Sequence, residues 1–107
     1  MQHNHISTQF DAQLEQVRSK VLHMGGVVED QLSLAVRALQ SGEMYLIEQV
    51  LDVEHQVNGL EMEIDELCTN IIARRTPTAI DLRLLTMVVK TITDLERVGD
   101  EAKKIAL

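Results

Sequence analysis

Apolar residues recur along this chain in steps of three and four, the spacing that lays one greasy stripe along an α-helix. From about Ser7 the stripe reads Phe10, Leu14, Val17, Val21, Met24, Val28, Leu32, Ala35 and Leu39, with Ser7 placed to cap the helix start. Gly25-Gly26 falls in its middle, where each glycine costs up to about 1 kcal/mol relative to alanine. The register continues through the pair, so a close approach by a neighbouring helix is expected there rather than a bend. Ser41-Gly42 then supplies a stop.

A second helix should begin near Glu43, with Leu46, Val50, Val53, Val57, Leu60, Ile64, Leu67 and Ile71 as its seam. These steps alternate between four and three, the coiled-coil period. Arg74-Arg75-Thr76-Pro77 ends it, because proline pushes the residue before it out of helical geometry. The third helix takes Thr76 or Thr78 as its N-cap, with Asp81 in the first turn. Its seam is Leu84, Leu85, Val88, Ile92, Leu95, Gly99 and Ala102, and it runs to Leu107 with no stop signal, as if cut in mid-helix.

The expected fold is all-α: an antiparallel up-down-up three-helix bundle forming a single domain over residues 1–107. Residues 1–6 read as a flexible N-terminus, and the helices as about 7–41, 43–75 and 78–107. A helix of ~30 residues is about 45 Å long at 1.5 Å per residue.

Composition narrows this further. Apolar residues make up 45% of the chain and aromatic ones only 2%, so the core must be aliphatic, which suits helix packing better than a sheet. A single cysteine, Cys68, excludes an internal disulfide and agrees with a reducing compartment. Beside Leu67 on helix two, it reads as a buried or boundary thiol rather than a nucleophile. No apolar run nears the roughly 18 residues of a membrane span, and the expectation is a cytoplasmic protein. The net charge of −7 argues against a nucleic-acid partner, which wants a basic face.

That charge is concentrated. Between Gly42 and Ala73 there is no Lys or Arg, yet the stretch holds Glu43, Glu48, Asp52, Glu54, Glu61, Glu63, Asp65 and Glu66. A solvated face is the ordinary account of such a run. Two pairs sharpen it: Glu61 with Asp65, and Glu96 with Asp100, each four residues apart and each starting one residue after a seam leucine. Side chains at that spacing share a helix face, so antiparallel neighbours would bring four carboxylates to one surface. Carboxylate oxygens are hard ligands for Mg, Ca, Mn or iron. The Glu-x-x-His pattern of ferritin-like di-iron bundles is not formed by these acids; His23 and His55 read as surface or boundary packing residues, and the His3/His5 pair as part of a disordered end. Arg74, Arg75 and Arg83 cluster near the second turn and read first as helix-end charge effects. Tyr45 is expected to pack at the end of the bundle.

The segment Leu95-Glu96-Arg97-Val98-Gly99-Asp100 resembles the acidic signature of the PhoU family. Val57-Asn58-Gly59-Leu60-Glu61-Met62-Glu63-Ile64-Asp65 resembles its companion on the second helix. The Arg74-Arg75-Thr76-Pro77-Thr78-Ala79 turn with Asp81-Leu82-Arg83, and Met24-Gly25-Gly26-Val27-Val28, are similar too, so the resemblance runs from about Ile6 onward. It implies a cytoplasmic regulator of phosphate uptake and signalling, not an enzyme. Such a regulator links the phosphate ABC transporter ATPase to a sensor histidine kinase and represses the phosphate-starvation response. It reaches the membrane only peripherally, through those partners. It also implies a bound metal ion (Mg, Mn, Zn or Fe) on Glu61, Asp65, Glu96 and Asp100, with Asp94 and Glu54 as neighbours. The family has two such three-helix repeats and this sequence shows one, so its unmatched surface is expected to self-associate into a homo-oligomer. Two other readings stay open on the residues themselves: a carboxylate-bridged metal hydrolase, and a purely structural helical adaptor.

Overall fold

The computed structural model describes the backbone of residues 2–75 and 77–107, and the side chains of residues 9–74 and 77–107. Three helices follow one another: α1 (Gln2–Ser41), α2 (Met44–Arg75) and α3 (Ala79–Ala106). Each packs against both others, and the molecule is a rod 60 Å long. That length is set by α1, whose 40 residues span about 60 Å at 1.5 Å each. α1 begins at Gln2 rather than Ser7, since no Gly or Pro precedes Ser7 to break it. The proposed Ser7 cap and the His3/His5 pair lie outside the described side chains, as do Arg75 and Thr76.

The turns follow from local chemistry. Gly42 closes α1 with φ +69°, a left-handed conformation that is costly for any residue with a Cβ. Its N–H donates to the Ala38 carbonyl at 2.8 Å. At the start of α3 the Thr78 hydroxyl accepts the Asp81 N–H at 3.2 Å and donates to the Asp81 carboxylate at 2.9 Å. The cap satisfies one of the N–H donors that the first helical turn leaves free, and the Asp81 carboxylate holds the capping hydroxyl in place.

The core is aliphatic, as composition demands. Val17, Met24, Val28, Val57, Ile64, Cys68, Ile71, Leu85 and Ile92 form the main cluster. Ala35, Ala38, Leu46, Val50, Ala102 and Ala106 form a second one toward the α1–α2 turn. The small residues there let the helices draw together. Two seam positions are corrected. Leu39 is 67% exposed and its place is taken by Ala38; Leu84 is 47% exposed beside the buried Leu85. Tyr45, expected against the bundle end, is 51% exposed there.

The glycine pair also departs from expectation. A methyl group at Gly25 or Gly26 would meet nothing within 4 Å. No described helix therefore makes its close approach there, and α1 holds its line because Met24 and Val28 on either side are buried. The close approach occurs instead at Gly99 on α3, where a Cβ would fall 2.7 Å from the Gln31 side-chain oxygen, 3.4 Å from a Glu54 oxygen and 3.5 Å from Val57.

Candidate functional site: a carboxylate cluster at the α2–α3 seam

Residues at equal chain distance from a turn face each other across an antiparallel helix pair. Glu54 and Asp100 stand at nearly matched distances from the Pro77–Thr78 turn, and Glu96 lies one helical turn from Asp100. The structure accordingly brings Glu54, Glu96 and Asp100 together, each offering one carboxylate oxygen, all within 4.8 Å of one another. Glu54 is only 5% exposed, whereas Glu96 and Asp100 are half-buried.

Behind the carboxylates stands Gln31 of α1, fully buried. Its Nε2 donates to Glu54 Oε2 at 2.6 Å and, more weakly, to the Val50 carbonyl at 3.5 Å. A charged acceptor makes the first bond the stronger kind. Its other end, Oε1, is buried with no hydrogen-bond partner. Such orphans are rare in folded proteins, because an unpaired buried polar atom costs about 1–3 kcal/mol.

Of the four carboxylates expected to meet, Glu96 and Asp100 are in the cluster. Glu61 lies alongside it. Its carboxyl is raised above the ordinary glutamate range, first by burial, then by the charges of Glu96 and Asp65. Asp65 is exposed on the outer side of α2, toward the second turn, and Asp94 is exposed on α3. Glu54, named from sequence only as a neighbour, takes the innermost position. Its matched distance from the turn was the signal available for it. Gln31 was missed entirely, although a polar residue three after Val28 and four before Ala35 on the α1 stripe is itself a signal. Cys68 is buried, and burial, then Asp65, pushes its thiol above the ordinary cysteine value, which disfavours the reactive thiolate.

The raised carboxyl of Glu61 makes stability depend on pH. A group whose folded pKa lies above its unfolded value of about 4.3 contributes stability that is fully present below that value. The contribution is lost as pH rises through the raised folded value. In protein stripped of divalent ions, Glu61→Gln should therefore be more stable than wild type near neutrality, with the gap closing as pH falls into the carboxylate range. Urea unfolding across that interval measures it; a gap that is flat with pH would exclude burial and like charge at Glu61 as its cause.

Fold and site together define a class: an all-helical bundle unit with a partly buried cluster of hard oxygen donors between two antiparallel helices. The PhoU domain matches residues 21–107. The chain is 53% identical over 103 residues to a phosphate-specific transport system accessory protein PhoU homolog from Pseudomonas putida, covering 96% of this chain and 40% of that protein. It is 50% identical over 101 residues to the phosphate-specific transport system accessory protein PhoU of Escherichia coli K12, covering 94% and 42% respectively. The crystal structure of PhoU from Pseudomonas aeruginosa superposes with a TM-score of 0.87 at 50% identity, covering 91% of this chain and 46% of that one. The chain belongs to the PhoU family. It spans about two fifths of the length of the curated relatives it matches. Those relatives are named as accessory proteins of a transport system, not as enzymes. No described helix is long and apolar enough to cross a membrane.

Proposed function

We propose that this chain is a regulatory, non-enzymatic unit of phosphate uptake. It acts in the cytoplasm, contacts the phosphate ABC transporter ATPase and a sensor histidine kinase, and helps repress the phosphate-starvation response. The observation that carries this reading is identity of about half, over 94% of the chain, to a named phosphate-transport accessory protein.

The metal part of the reading rests on the cluster. Glu54, Glu96 and Asp100 would hold a hard divalent cation, and the unpartnered Oε1 of Gln31 beside them fits an electropositive ligand. Bound there, such an ion would supply the positive charge that offsets repulsion between the facing acids. The residues do the rest. Gln31 orients Glu54, Gly99 lets α3 close on α1 and α2, and the two carboxylate-bearing helices become one stiff face for a partner to read. Self-association belongs to the same reading. A groove of about 380 Å³ between α1 and α3 leaves Leu22 63% and Met87 60% exposed, apolar area of the kind that assemblies cover.

Calorimetric titration of chelator-treated protein with Mn²⁺ tests the ion. Wild type should bind, and Glu96→Ala/Asp100→Ala should lose more than the 10- to 100-fold that removing an outer-shell partner costs. Equal affinity in both would remove these residues from the site. For the regulatory part, the purified chain should be retained by the immobilised transporter ATPase or kinase; retention by neither would overturn it.

A further inference from the structure

Gln31 has a feature that its bond to Glu54 leaves unexplained. A carboxamide can be built in two orientations, and its neighbours decide between them. Both groups within reach of its Nε2, Glu54 Oε2 and the Val50 carbonyl, are acceptors. The nitrogen must point at them, so the atom left without a partner is the oxygen. The oxygen is aimed at α3: it lies 2.7 Å from the point a Gly99 Cβ would occupy, and Glu54 Oε2 lies 3.4 Å from that same point. Gly99 adjoins Asp100, a member of the carboxylate cluster. This amide oxygen is buried and accepts nothing, and it lies beside the innermost carboxylate of the cluster, Glu54, where positive charge is lacking. Any additional acceptor would repel it, and no described protein donor reaches it.

We propose that Gln31 is a ligand of the cation held by Glu54, Glu96 and Asp100, supplying Oε1 as the neutral inner oxygen of the set. The inference rests on the metal-binding reading of the cluster and extends the site to α1, so that one ion ties all three helices together. The same side chain then has two tasks. Nε2 orients the Glu54 carboxylate, and Oε1 completes the donor set with an oxygen that adds no charge. A fully oxygen donor set favours hard cations over soft ones.

Two measurements separate direct ligation from a purely structural role. In wild-type protein, Mg²⁺ addition should shift the side-chain carbonyl ¹³C resonance of Gln31 together with that of Glu54. In Gln31→Met, first checked for native helicity, a thioether replaces the amide oxygen. Mn²⁺ affinity should fall by more than the roughly 10- to 100-fold of a lost outer-shell partner while Cd²⁺ affinity is retained, because thioether sulfur favours the softer ion. A Glu54 shift without a Gln31 shift, or an unchanged Cd²⁺-to-Mn²⁺ affinity ratio in Gln31→Met, would overturn the assignment of Gln31 and leave the carboxylate site standing. No Mn²⁺ binding by wild type would remove both.

Discussion

Gly99→Val should destabilise the protein by about 3 kcal/mol, with a fall in Tm of more than about 10 °C. The first Cβ atom already falls 2.7 Å from Gln31 Oε1, a separation that real packing does not tolerate. Gln31 cannot simply swing aside, because it is fully buried and clamped to Glu54. The valine methyl groups would also meet Glu54 and Val57, at 3.4 and 3.5 Å from the Cβ position. Overpacking of this kind costs about 1–3 kcal/mol, and a displaced Gln31 leaves buried polar groups unpaired at about 1–3 kcal/mol more. Valine's better helix propensity returns only about 0.4 kcal/mol. Gly59, mid-helix on α2 with nothing within 4 Å of its Cβ position, is the control: Gly59→Val should shift stability by no more than about 0.5 kcal/mol. Chemical unfolding of both variants decides the matter. Equal effects would mean that the close approach of α3 at Gly99 is not what the glycine is for.

The second large effect concerns Gln31 as a donor. Gln31→Leu keeps roughly the volume but leaves Glu54, 5% exposed, without the bond it accepts at 2.6 Å. Hydrogen bonds to charged groups contribute about 1.5–3 kcal/mol, and a stranded buried acceptor adds its desolvation cost. A loss of about 2–3 kcal/mol is expected in metal-free protein. Exchanging both partners for apolar residues behaves differently, because nothing is then stranded. Gln31→Leu/Glu54→Met should therefore recover most of the stability lost by Gln31→Leu alone. A double-mutant cycle measures this coupling. Additive losses would show that the two side chains do not act as a unit.

How far the molecule was legible in its sequence differs from element to element. The α2 seam from Leu46 to Ile71 is the clearest case, because a strict four-three alternation admits one face only, and every member is buried or half-buried. The turns were equally readable: Gly42 and Thr78 act through their own backbone and the adjacent residues. Leu39 and Leu84 were misplaced because several neighbouring positions on a stripe can serve as its edge, and the partner helices choose among them. Gly25-Gly26 and Gly99 show the same limit. All three are mid-helix glycines, and their local sequence says nothing of which one a neighbouring side chain will meet.

By itself, the sequence determined the three helices, the Gly42 stop of α1 and the Thr78 cap of α3, the aliphatic core and the acidic character of α2, since these depend on spacing and on chemistry within a turn or two. Counting from the turn pairs Glu54 with Asp100, but tertiary structure decided which acids meet in one cluster. The relative shift of α2 against α3 draws Glu54 into the cluster and leaves Asp65 outside it. The packing of α1 behind them orphans the Gln31 oxygen. The physical reason is that a helix period sets the face of a side chain but not its height against a neighbouring rod. Height is fixed only when small residues such as Gly99 and Ala102 let the backbones close and the buried side chains interlock.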